Sequence, residues 1–240
     1  MLLQTQSSAP HIYSASMCDI DSLDRDTQIA SRGEHVSSAS CLLSNPGTGL
    51  PEAGIRDVDP GVNKLTFKDD ELCHFVTGNA VYKAENGEVI EVKPGTVVHF
   101  KQGWRGEVKV LDKTRVVYMS SKGGEADVTP VLRDVEKISQ LTDWGCVEEP
   151  IEGVSRVSGV LLSREPDGRA ESGIWICTPG TWHCVLTSDE LCHFLKGRCT
   201  YTHDNGEVIE IMADTAAFFP QGWSGRCQVH ETVRKVYMIR

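Results

Sequence analysis

The 240-residue sequence has no apolar run approaching the roughly 18 residues a membrane helix needs, and Met1-Leu2-Leu3-Gln4-Thr5-Gln6 lacks the basic start and apolar stretch of a secretory signal. A cytoplasmic protein is the expectation. Basic residues are scarce: 24 Lys and Arg stand against 34 Asp and Glu, for a formal net charge of −10. So few cations cannot neutralise a row of phosphates, which excludes a general nucleic-acid or anionic-membrane surface. CxxC pairs are also missing. The nine cysteines are odd in number and scattered, which fits reduced thiols better than a disulfide framework. There is no catalytic triad pattern, phosphate loop or dinucleotide fingerprint.

What the sequence does have is a duplication. Glu71-Leu72-Cys73-His74-Phe75 returns as Glu190-Leu191-Cys192-His193-Phe194, Asn86-Gly87-Glu88 as Asn205-Gly206-Glu207, and Gln102-Gly103-Trp104 as Gln221-Gly222-Trp223. Each pair is 119 residues apart, so the chain holds two versions of one folded unit. Residues 1–35 read as a lead-in, 36–122 as the first unit, 123–146 as a linker and 147–240 as the second unit.

Within each unit, short apolar segments alternate with turn residues. Asn86-Gly87 is a hairpin signal that suits a type I′ turn. Many short strands with glycine turns and no helical period indicate an antiparallel sandwich or barrel. In the linker, Val131, Leu132, Val135, Ile138 and Leu141 fit one amphipathic helix of about three turns. The fold class expected is all-β, two tandem barrels with a short connecting helix.

The spacing of Glu71 to Gly78 and of Glu190 to Gly197, the later Pro220-Gln221-Gly222 and the closing Thr232-Val233-Arg234-Lys235-Val236-Tyr237 resemble the two-part cupin signature. The motifs are similar to the branch that includes (S)-ureidoglycine aminohydrolase and the ethanolamine-utilisation cupin. The resemblance implies jelly-roll barrels whose mouth holds a divalent metal on two histidines and a glutamate of the first motif and a histidine of the second. Here the ligand set is fragmentary. The pair preceding Glu71 is Lys64 and Thr66 or, one residue shifted, Leu65 and Phe67, that preceding Glu190 is His183 and Val185 or Cys184 and Leu186, and Gly106 and Gly225 stand where the last histidine would be. A lysine among the ligands opposes a cation by like-charge repulsion. His183, Cys184 and Glu190, with Cys192 as a further thiol, are the best metal candidates, since nitrogen and sulfur donors suit zinc or a late transition metal. A metal-free second barrel is the preferred reading.

The repeated glutamates Glu71 and Glu190 are candidate acids or bases if apolar surroundings desolvate them. Arg115 and Arg234, repeated on the last strand, are their expected counter-cations. Strand alternation puts Cys73 and Cys192 on the glutamate face, and His74 and His193 on the opposite, outward or interface face. Trp104 and Trp223 could wall a pocket mouth or pack in the core. Lys64, Lys101 or Arg105 would suit an anionic or carboxylate ligand in the first barrel, whereas the second is more apolar and thiol-rich. The function expected is a small-molecule-binding bicupin, assembled as a homodimer. Its alternative is a hydrolase or lyase acting on a nitrogen- or carboxylate-containing metabolite, with Glu190, Arg234 and Tyr237 as catalytic residues in the second barrel.

Overall fold

The computed structural model of the protein describes residues 12–17, 24–29, 35–44, 49–123, 131–165, 168 and 170–240. The strands run β1 (Tyr13–Ser16), β2 (Asp24–Ile29), β3 (His35–Leu42), β4 (Glu52–Val58), β5 (Gly61–Thr66), β6 (Asp70–Thr77), β7 (Ala80–Ala84), β8 (Val89–Val92), β9 (Thr96–Phe100), β10 (Arg105–Val110) and β11 (Thr114–Ser121). They continue as β12 (Val131–Asp134), β13 (Thr142–Cys146), β14 (Pro150–Glu152), β15 (Arg156–Arg164), β16 (Glu171–Cys177), β17 (Gly180–Val185), β18 (Glu190–His203), β19 (Val208–Met212), β20 (Thr215–Phe219) and β21 (Ser224–Ile239). Residues 18–23 of the lead-in and 124–130 of the linker lie outside the described residues.

Each unit closes into an antiparallel barrel. The first is a seven-stranded sheet, β12-β9-β6-β11-β4-β3-β2, facing a four-stranded one, β5-β10-β7-β8. In the second the long strands β18 and β21 run through both layers, so its ten strands form one continuous sheet. Asn86-Gly87 does make the β7–β8 hairpin, but not as a type I′ turn. Only Gly87 takes a positive φ, 89°, and Gly87 N donates to Ala84 O at 2.9 Å. The loop is a common turn followed by one left-handed glycine, which needs no second strained residue.

The expected linker helix is absent. Residues 131–134 are β12, 135–137 a single 3-10 turn, and β13 begins at Thr142. A long-range partner overrides the helical spacing: β12 pairs with β9 of the first barrel, Leu132 opposite Val98, and Val135 N donates to Gly95 O at 2.8 Å. The matching strand β1 does the converse. It pairs with β20 of the second barrel, Ser14 opposite Ala217, and Met17 N donates to Asp214 O at 2.7 Å. Each barrel therefore borrows the strand that precedes the other.

The barrels pack face to face within the one chain. Ala53, Ile55, Leu72, Val117 and Met119 of the first meet Ile174, Leu191, Val236 and Met238 of the second in a single buried cluster. His74 Nδ1 lies 3.1 Å from His193 Nδ1. Residues 119 apart that touch each other must sit on the pseudo-twofold axis of the duplication. Both rings are buried, so these histidines are interface residues and not outward ones. Among the described residues no helix is long and apolar enough to cross a membrane.

Candidate functional site

Strand alternation places Glu190 and Cys192 inside the second barrel, and a cation meets them there. Lys235 Nζ lies 2.8 Å from Glu190 Oε1 and 3.1 Å from Cys192 Sγ, and Cys192 Sγ reaches Glu190 Oε1 at 3.1 Å. In register, Lys235 stands opposite both Trp175 on β16 and Phe194 on β18. Its ammonium sits 4.8 Å from the Trp175 ring centre, a cation–π contact. Burial alone would depress the Lys235 pKa, but the adjoining Glu190 carboxylate holds the ammonium charged. Burial first, and then Glu190, push the Cys192 thiol well up. Cys192 is thus a thiol at neutral pH, and Glu190 is the group that balances Lys235.

The first barrel repeats the arrangement with the cation on another strand. Glu71 is held by Arg56 through Nη1 at 3.0 Å and Nη2 at 3.3 Å, and Cys73 Sγ lies 3.2 Å from Glu71 Oε1. Arg56 stands on β4 opposite Val116 on β11. Its counterpart 119 residues on is Trp175, and that of Val116 is Lys235. Between the copies the positive charge has moved across one rung of the ladder. Position-by-position comparison sees two unrelated substitutions there, so the sequence reading missed both Arg56 and Lys235. A second repeated contact supports each site: Tyr118 Oη donates to Glu52 at 2.8 Å, and Tyr237 Oη to Glu171 at 2.6 Å. Gly173 makes room for this tyrosine, since a Cβ there would lie 2.5 Å from the Tyr237 ring.

The two interiors then diverge. In the first barrel Phe67 stacks on Phe100 with ring centres 4.5 Å apart, Trp104 packs edge-on against both, and Tyr82 lies tilted against Phe100. Phe67 is replaced by Leu186 in the second copy. There the interior opens as a cavity of about 550 Å³ whose lining includes Trp175, Trp182, Leu186, Glu190, Lys235 and Tyr237, with Trp144, Glu148 and Glu149 at its rim. The wall tryptophans are not the repeated ones. Trp223 is buried against Tyr201 and His203, and Trp104 is equally buried in the first core.

The remaining sequence candidates divide. His183, Cys184 and Tyr237 line the cavity with Glu190. Arg234 does not join them, because its Nη2 donates to Val135 O at 3.3 Å. Arg115 is likewise committed elsewhere, gripping Asp57 at 2.6 and 2.8 Å and Met17 O at 2.5 Å. These two arginines clamp the ends of the exchanged strands and are not the counter-cations of the glutamates. Lys64 is exposed on β5, Lys101 is buried near the second barrel's Glu165, and Arg105 lines a separate pocket of about 180 Å³. Each of these three candidates for an anionic ligand in the first barrel thus sits in a different environment.

The ligand set that the cupin resemblance implies does not fit a metal here. A Cβ on Gly225 would lie 2.3 Å from Thr202 O, and one on Gly106 2.2 Å from Lys83 O, so backbone fills the place of the last histidine. Glu190 and Glu71 already hold ammonium and guanidinium groups. Burial, then Glu190, push the Cys184 thiol up to about 11, which opposes a metal-binding thiolate. His183 lies within 4 Å of Glu149 and Asp204 at the rim. Among the described residues, the one trio of candidate ligands within 4.8 Å of one another is Asp70, His99 and Glu165, between the barrels. A cation is built into that cluster too. Lys101 Nζ contacts Glu165 and lies 3.5 Å from His99 Nε2.

A family model described as the EutQ-like cupin domain matches the chain twice, at residues 47–118 and 164–237. No functionally curated protein matches it. In structure the chain is similar to a protein of unknown function from Pseudomonas syringae pv. tomato str. DC3000, with a TM-score of 0.73, 14% identity, and 96% of this chain and 100% of that chain covered. It is also similar to YlbA from E. coli, at a TM-score of 0.64, 11% identity and coverage of 97% and 91%. A third is a Bacillus subtilis oxalate decarboxylase variant, at a TM-score of 0.54, 12% identity and coverage of 97% and 77%. With two matched segments spanning most of the two barrels, the chain belongs to the EutQ-like cupin family.

Proposed function

We propose that this bicupin binds a small molecule in its second barrel, without a metal, and that the first barrel serves as a packed structural partner. One observation carries the reading. The same ring of strands is filled by Phe67 on Phe100 in one copy and left open over the Glu190–Lys235 pair in the other. An apolar cavity with a few converging polar groups is the usual form of a ligand site. The same proposal sets the protein in the cytoplasm as a homodimer.

The test copies the first barrel's plug into the second. Leu186→Phe should abolish ligand-induced thermal stabilisation across a metabolite library while leaving the unliganded melting temperature close to that of the wild type. Ligand shifts that survive the substitution would place the binding site elsewhere.

A catalytic reading stands second, favoured by Glu190 and Tyr237 lining one cavity. Glu190 would act there as acid or base on a nitrogen- or carboxylate-containing metabolite, in hydrolysis or elimination. Arg234 has no part in it, given its bond to Val135 O.

A further inference from the structure

The two barrels use their glutamates differently. Both oxygens of Glu71 are taken, Oε1 by Arg56 Nη1 and Cys73 and Oε2 by Arg56 Nη2. In the second barrel Lys235 and Cys192 both bind Oε1. Among the described residues nothing hydrogen-bonds Glu190 Oε2. The difference follows from side-chain shape: a guanidinium is a planar fork that matches both carboxylate oxygens, whereas an ammonium is a point donor. Glu190 retains 15% side-chain exposure, and it lines the cavity. An ammonium in the role of the guanidinium therefore leaves one carboxylate oxygen able to accept a bond from whatever enters.

The surroundings limit what that is. An anion would meet Glu190 inside and Glu148 and Glu149 at the rim. The Lys235 ammonium is held by Glu190, Cys192 and the Trp175 face. A nitrogen donor finds the open Oε2 of Glu190 inside and the Glu148 and Glu149 carboxylates at the rim, and tryptophan walls suit a flat apolar body or a cation.

We propose that the second-barrel cavity takes a small molecule bearing an amino or amidino group, which donates to Glu190 Oε2 while its apolar part lies against Trp175 and Trp182. This rests on the ligand-binding reading above and narrows it from nitrogen- or carboxylate-containing compounds to the nitrogen class.

Calorimetric titration of the full chain with benzylamine, toluene and benzoate separates the possibilities, because the three share a ring and differ in the group presented. Benzylamine should bind at least about tenfold more tightly than benzoate, the size of effect a hydrogen bond to a charged group gives. Toluene reports the cavity itself. Benzoate binding as well as benzylamine, with toluene also bound, would overturn this inference and leave the ligand-binding reading standing. Binding of none of the three would overturn both.

Lys235→Arg tests the assigned atom. Its fork should cap both oxygens of Glu190, as Arg56 caps those of Glu71, and the preference for benzylamine should fall toward onefold. A folded Lys235→Arg protein that keeps the wild-type preference would contradict the assignment to Oε2. The wild-type comparison decides the ligand class even if that variant fails to fold.

Discussion

The buried histidines carry a pH dependence whose sign can be worked out. His74 and His193 face each other on the pseudo-twofold axis, and protonating either would put a charge into the apolar seam between the barrels. Burial, then His193, hold His74 well below the ordinary 6.5. Burial lowers His193 to about 4, with Asp214 opposing the shift. His99 is also lowered to about 4, by burial and then by Lys101. Because the folded values lie below the unfolded one, the unfolded chain takes up protons first as pH falls. Stability is therefore present above pH 6.5 and lost between there and about pH 4. Urea unfolding should show a slope of up to roughly 1.4 kcal/mol per pH unit for each histidine, flattened in a His74→Gln, His193→Gln double variant. An equal slope in wild type and variant would contradict this placement.

At the scale of elements, the exchanged strands tie the barrels together, and the repeated arginines fasten them. Arg234 reaches the carbonyl of Val135 just past β12, and Arg115 that of Met17 just past β1. Arg234→Met should cost about 1.5 kcal/mol, the worth of a charged hydrogen bond. It should also speed hydrogen exchange of the β12 amides paired with β9 while β20 stays protected. Unchanged β12 protection would show that the clamp does not hold the strand.

This element also marks where the sequence stopped being legible. The barrels were readable because Glu, Cys, Tyr and Gln-Gly-Trp recur at fixed spacing, and alternation assigned the Glu71 and Cys73 face correctly. The strand at residues 131–134 was not, because its partner β9 lies far away in sequence and the local spacing mimics a helix. The cations were hidden for a related reason. Arg56 and Lys235 are equivalent only through the register that sets β4 beside β11 and β16 beside β21.

At the scale of the whole molecule, duplication has given one barrel to packing and the other to a cavity, each around a glutamate paired with a built-in cation. Where the cupin resemblance implies a divalent metal, this chain supplies Lys235 and closes the last ligand position with Gly225 against backbone. The most direct test of that claim is the metal content, by elemental mass spectrometry, of protein purified without chelators or added metal. We expect transition metal far below one ion per chain, with no change in a Glu190→Gln variant. Near-stoichiometric metal in the wild type that disappears in the variant would contradict the account and return Glu190 to a ligand's role.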